Sequence, residues 1–278
     1  MRFIFSSSKA SIVFLFLMIV CPFAESSQER QVLQKEKSST GYQAQIEKIL
    51  LEIQNDLGIK IFYKDIPPSN GSIVAYSLAQ PSDYPVLLGF LKLLQQELNR
   101  YPAEFFKNSP VQAIVLVKKH FFNEKPAEGV YTNLADVIML DFYRDRRNPM
   151  DQRHSIHHEL FHRIEFQEKK KGQAWDAQWS ALNAAGFQYG TEKQTGAGIP
   201  LDYLAPPVPG FATDYALTSP VEDRAEIFAC LMVEPQNKLV HRWAKKDKAL
   251  AKKIEYILSY VQDYSSSMGD AFWYKLFY

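Results

Sequence analysis

Three of the six histidines of this chain fall within SIHHELFHRIEF, positions 155 to 166. Within it, His158-Glu159-Leu160-Phe161-His162 satisfies H-E-x-x-H. On a helix, residues four apart stand one turn above each other, so the two imidazoles converge on one point in space. Zinc accepts histidine nitrogen at about 2.0 Å, and such a pair supplies two of its ligands. Glu159, beside the first histidine, then projects toward the open position on the metal, where it can take a proton from water. With six histidines in 278 positions, the pattern arises by chance in roughly one such chain in a hundred.

Ile156, Leu160, Phe161 and Ile164 form an apolar face on the same helix, with the histidine pair at its border. A helix buried on one side and edging a cleft can carry a metal site. His154 lies one turn before His158, but three histidines in a row do not close comfortably on one tetrahedral ion, so His154 is not expected to be a ligand. His157 points about 100° away from its neighbour and is expected to pack or to support the site.

A hydrolytic zinc site usually takes three protein ligands and one water. The metzincin continuation needs a glycine and then a histidine after the second ligand, and Glu165 and Glu168 occupy those places. A later helix is the other source. SPVEDRAEIFACLM offers Glu222 and Glu226, one turn apart. In such a pair the first carboxylate can bind metal, and the second can accept a hydrogen bond from a ligand histidine and fix its tautomer. Ser219-Pro220-Val221-Glu222 is equally a good capping box, with Ser at the N-cap, Pro at N1 and Glu at N3. Local sequence leaves Glu222 a cap as readily as a ligand.

HHELFH, then Tyr215, then PVEDRAEIFA together resemble the gluzincin zinc metallopeptidases. The pattern is most similar to the catalytic domain of anthrax lethal factor and to exported bacterial zinc-binding metallopeptidases. The resemblance extends over roughly residues 85 to 235. It implies one zinc ion held by His158, His162 and Glu222, with Glu159 as general base and Glu226 orienting a ligand histidine. A tyrosine seven residues before the third ligand assists catalysis in that pattern, and Tyr215 stands at this spacing. The implied fold is a zincin-like α+β domain with a small mixed sheet, an H-E-x-x-H helix and a following glutamate-bearing helix. The implied substrate is a peptide or protein, commonly laid along an edge strand beside the metal helix; a strand within 129–143 would serve. The interval between His162 and Glu222 is much longer than in thermolysin-like enzymes, so their specificity features do not carry over.

The elements that must position these residues follow from periodicity. YQAQIEKILLEIQNDLG places Ile46, Ile49, Leu50 and Ile53 on one helical face, and PVLLGFLKLLQQELNRY predicts a second helix. IKIFYK alternates like a strand, VQAIVLVKK reads as a short buried one, and GVYTNLADVIMLDFY as one or two more. Residues 186 to 212, rich in Gly and Pro, predict a long structured loop; from Pro220 to about residue 264 the pattern is helical. Helices and a few strands without regular alternation predict an α+β domain over 42–278. Trp175 and Trp179 are expected in its core, Asp223 and Arg224 as a solvated or supporting pair, and Cys230 as a buried small hydrophobe.

Residues 1–24 have the layout of a secretory signal peptide: Arg2 and Lys9, an apolar run, then CPFA. The run is about half of what a membrane span needs. Export to a periplasm or to the medium, if the source is bacterial, is therefore expected, with a polar tether at 25–41. Leu17 to Cys21 loosely resembles a lipoprotein signal, but Val20 stands where such signals take a small residue, so acylation of Cys21 is the lesser expectation. Losing the leader removes Arg2 and Lys9 from 32 basic residues, leaving 30 against 31 acidic. That balance argues against nucleic acid or an anionic membrane as the main partner. Two other functions share the constellation: a zinc hydrolase of another amide bond, and a non-catalytic protein stabilised by zinc. The latter has no use for Glu159.

Overall fold

The computed structural model describes residues 27–64, 74–108, 113–122, 125–126, 129–132, 137–143, 148–170, 176–190 and 208–277. The leader read at 1–24, Cys21, Trp175 and residues 191–207 of the predicted loop lie outside the described residues. The chain divides into Met1–Ser38 and Ser39–Tyr278. In the first unit the described residues are helical, the start of α1 (Ser27–Leu57). Most of the polar stretch read as a tether at 25–41 is thus helical. Gln, Glu, Lys and Arg, which make up most of QERQVLQKEK, lose little rotamer freedom in that state.

In the second unit, α2 (Tyr84–Leu98) and the short α3 (Ala103–Asn108) precede most of the sheet. Its strands are β1 (Lys60–Phe62), β2 (Val74–Ser77), β3 (Ala113–Phe122), β4 (Lys125–Pro126), β5 (Gly129–Thr132) and β6 (Val137–Asp141). The order is β1-β3-β6-β5; β1 and β6 run parallel to β3, and β5 runs antiparallel to β6. The distal half of β3 pairs instead with β2 and β4, both antiparallel. This is the small mixed sheet expected, enlarged by β2 and β4, which were not anticipated. Residues 113–117 are buried throughout, as befits a central strand covered on both faces. Ile114, Leu116, Ile138 and Leu140 join the main core, while Val115, Val117 and Met139 form a second cluster.

The remaining helices are α4 (Pro149–Lys170), α5 (Asp176–Ser180), α6 (Pro220–Met232), α7 (Gln236–Ala244), α8 (Lys248–Tyr264) and α9 (Asp270–Phe277). The continuous helical pattern predicted after Pro220 is divided, with Pro235 following α6 because proline cannot continue a helix. Every residue of α6 from Asp223 onward is buried, so this helix runs through the interior. It packs against α4, α5, α7 and α8, and against a 3-10 turn at Tyr215–Leu217. Among the described residues no helix is long and apolar enough to cross a membrane.

Candidate metal centre

Helix α4 carries Ile156, Leu160, Phe161 and Ile164 into the core, the face predicted from their spacing. That burial fixes its rotation and turns His158 and His162 toward the N-terminal turn of α6. Ser219 caps α6, its Oγ accepting from the Glu222 N–H at 3.2 Å, and Pro220 follows at N1. The cap is thus served by Ser219 and the Glu222 backbone, which leaves the Glu222 carboxylate for another partner. It faces the histidines: Oε2 lies 3.0 Å from His158 Nε2 and 3.1 Å from His162 Nε2, with the two nitrogens 2.8 Å apart.

This donor set suits zinc. Two imidazole nitrogens and one carboxylate oxygen are the ligands of a known class of catalytic site. A tetrahedron with arms of about 2.0–2.1 Å has edges of roughly 3.3–3.4 Å, so the three atoms sit a few tenths of an ångström inside the ideal. Burial by itself would raise the Glu222 carboxyl, but hydrogen bonds and charge from His158 and His162 outweigh it and hold it well below the carboxylate range. Burial disfavours a charged His158, yet its bonds to Glu222 and Glu226 raise its pKa to about 10. A metal ion taken up here would displace that proton, so binding would be coupled to proton release.

Glu226, one turn after Glu222, reaches the other side of the same ring, with Oε1 2.7 Å from His158 Nδ1. A carboxylate so close to the ring can bias the tautomer of a ligand histidine. The same oxygen lies 3.0 Å from His154 Nε2, and His154 Nδ1 lies 2.9 Å from Gln236 Oε1. His154, His158 and Glu226 thus form a second donor cluster beside His158, His162 and Glu222. Sequence reasoning set Glu226 against a ligand histidine but missed His154, and Gln236 behind it. His154 carried a signal, lying one turn before His158; Gln236, on another helix, carried none.

His157 leaves this group altogether. It is fully buried against α2, its Nε2 donating to Glu97 Oε2 at 3.0 Å and its Nδ1 accepting from Tyr101 Oη at 2.6 Å. Burial lowers its pKa despite Glu97, in keeping with a neutral ring satisfied at both nitrogens.

Glu159 is buried at the same level of α4, its side chain against Gly129 of β5. Tyr215 opens the 3-10 turn before α6, with its ring centroid 5.9 Å from that of His158 and 47% of the residue exposed. Desolvation, then the charges of Glu222, Glu159 and Glu226, push its phenol above the ordinary value, so it stays protonated and can donate.

Of the two places expected for Asp223 and Arg224, solvated or supporting, burial excludes the solvated one. Both are fully buried, and each has its own oppositely charged partners. Asp223 Oδ2 accepts from Lys253 Nζ at 2.6 Å, Trp179 Nε1 at 2.8 Å and Tyr189 Oη at 2.7 Å. Arg224 pairs with Glu165 and with Asp176. Lys253 also donates to the Gly210 carbonyl at 2.8 Å and lies over the Phe211 ring, tying down the loop that leads to Tyr215. Trp179 and Cys230 are buried as predicted.

The sequence matches, over residues 90–266, the model of a family described as "Putative zinc-binding metallo-peptidase". A solved structure with a similar fold is the "putative zinc-binding metallo-peptidase" of Bacteroides caccae ATCC 43185. It aligns with a TM-score of 0.51 and 21% identity, over 85% of this chain and 91% of that one. None of the curated proteins matches.

Proposed function

This chain belongs to that family of zinc-binding metallo-peptidases, and from this premise we propose that it hydrolyses peptide bonds at the centre formed by α4 and α6. The observation that carries the reading is the convergence of His158 Nε2, His162 Nε2 and Glu222 Oε2 within 3.1 Å of one another. In this proposal the three residues hold one zinc ion, and Glu226 accepts a hydrogen bond from His158 Nδ1. Bound zinc supplies a Lewis acid for the scissile carbonyl and lowers the pKa of water to about 7.

The other roles belong to the protein itself. Glu159 takes the proton of the attacking water and passes it to the leaving amine. The Tyr215 hydroxyl donates to the oxyanion as it develops; an aromatic donor half open to solvent can meet an incoming substrate. β5 is at the edge of the sheet among the described residues, and α4 packs against it. An extended peptide pairing with that edge would lie beside Glu159, with affinity from backbone hydrogen bonds. The leader-like layout of residues 1–24 supports action outside the cytoplasm.

Zinc content of the purified protein, with cleavage of a mixed peptide library before and after chelation, tests this reading. One zinc per chain is expected, with cleavage lost on chelation and recovered on adding zinc. The Glu159→Gln variant should keep the metal and lose about 10²- to 10⁴-fold in turnover. A protein that takes up no zinc, or a Glu159→Gln variant of parental activity, would overturn it.

A further inference from the structure

We infer that Gly129 is a positioning residue for Glu159: the missing side chain at the start of β5 is the space in which the Glu159 carboxylate is held. A Cβ at position 129 would stand 2.7 Å from Glu159 Cγ, 3.0 Å from Oε1 and 3.1 Å from the carboxyl carbon. Ordinary contact begins near 3.4 Å. The first of these atoms is in the middle of the side chain, so rotation of the carboxylate alone does not relieve the clash. Glu159 would have to change rotamer and carry its oxygens away.

Both sides of this contact are set by the elements that carry them. Gly129 is paired in register with Leu140 of β6, whose side chain is in the core. Glu159 lies on α4 between His158 and Leu160, and burial of Leu160 and Phe161 fixes the rotation of the helix. A glycine in a strand gives up packing and backbone entropy, and it often marks the close approach of another group. Here that group is the side chain assigned to proton transfer. In contrast, a Cβ at Gly89 of α2 meets nothing within 4 Å.

This rests on the proposed role of Glu159, and the test separates the two. Gly129→Ala, Glu159→Gln, Glu159→Ala, the Gly129→Ala/Glu159→Ala pair and Gly89→Ala are compared for zinc content, melting temperature, kcat and KM. Gly129→Ala is expected to keep zinc and substrate KM while kcat falls about 10²-fold, the cost of misplacing a reacting group by about 1 Å. It should also lower the melting temperature, and that loss should vanish when Glu159→Ala removes the opposing atoms. Gly89→Ala should leave activity unchanged. Parental kcat and melting temperature in Gly129→Ala, beside an inactive Glu159→Gln, would overturn the inference and leave the proposed function standing. A loss of stability that persists in the pair would make Gly129 a strand residue without bearing on Glu159. Parental activity in Glu159→Gln would instead remove the base itself.

Discussion

Glu226 and His158 are joined at 2.7 Å through His158 Nδ1, the ring nitrogen that faces away from Glu222. One imidazole is thus held between two carboxylates, one for each nitrogen. Burial would raise the Glu226 carboxyl, but the charge of His154 and bonds from both histidines hold it well below its ordinary range. Glu226→Gln should therefore weaken zinc affinity by about 10- to 100-fold while the metal remains detectable, as for loss of an outer partner of a ligand. Competition against a chelator of known affinity measures this. Unchanged affinity would show that the contact has no hold on the metal.

Glu222→Gln is expected to cost more. The amide keeps the shape, and the Ser219 cap uses the Glu222 backbone N–H rather than the carboxylate. Helicity should survive, while zinc affinity falls beyond the 10- to 100-fold typical of an outer partner. Circular dichroism and chelator competition on one preparation decide it. If the variant binds zinc like the parent, Glu222 is a helix-end residue and Glu226 becomes the next candidate.

Tyr215→Phe removes a hydroxyl and keeps the ring. Since the residue is 47% exposed, little packing depends on it. Turnover should fall about 10²- to 10³-fold with nearly unchanged ground-state binding, because the donor acts on charge that develops in the transition state. Metal content and melting temperature should match the parent. A stability loss with full turnover per zinc-loaded molecule would make Tyr215 a packing residue.

Glu97 predicts part of the acid response. Burial would raise its carboxyl, but the hydrogen bond from His157 and the charges of Arg100 and Arg153 lower it below the ordinary glutamate range. In the unfolded chain Glu97 takes up its proton first as pH falls, so the unfolded state binds more protons in that interval. The stability it contributes is complete above the unfolded value and is lost as pH falls through the folded one. Denaturant titrations should show a shallower decline of stability below about pH 4.5 in Glu97→Gln than in the parent. An identical acid slope in the two would exclude Glu97 from that response.

The parts of this protein legible in its sequence are those with a short period. Ile156, Leu160, Phe161 and Ile164 repeat at helical spacing, and this alone predicted the helix, its buried face and the two histidines on its border. The alternation in IKIFYK and the β-branched run of β3 likewise read directly as strands. Other local preferences misled. The polar residues from Ser27 onward have no apolar face to display, yet they favour helix. Asp223 and Arg224 look solvated from charge alone, whereas their partners Lys253 and Glu165 arrive from α8 and α4.

By itself the sequence determined that two imidazoles and a carboxylate share one stretch of helix, because residues one turn apart must share a face. It offered Glu222 as a cap and a ligand on equal terms, and only likeness to known enzymes tipped the balance. The tertiary structure decided which oxygen meets those imidazoles, since Glu222 is 60 residues from His162 and only the packing of α6 on α4 brings them together. It also decided the place of Gly129. A glycine has no side chain through which a pattern could speak, and its meaning lies in the atoms of Glu159 that fill the space beside it. Periodicity states which residues face the same way, while closure of the core states what they face.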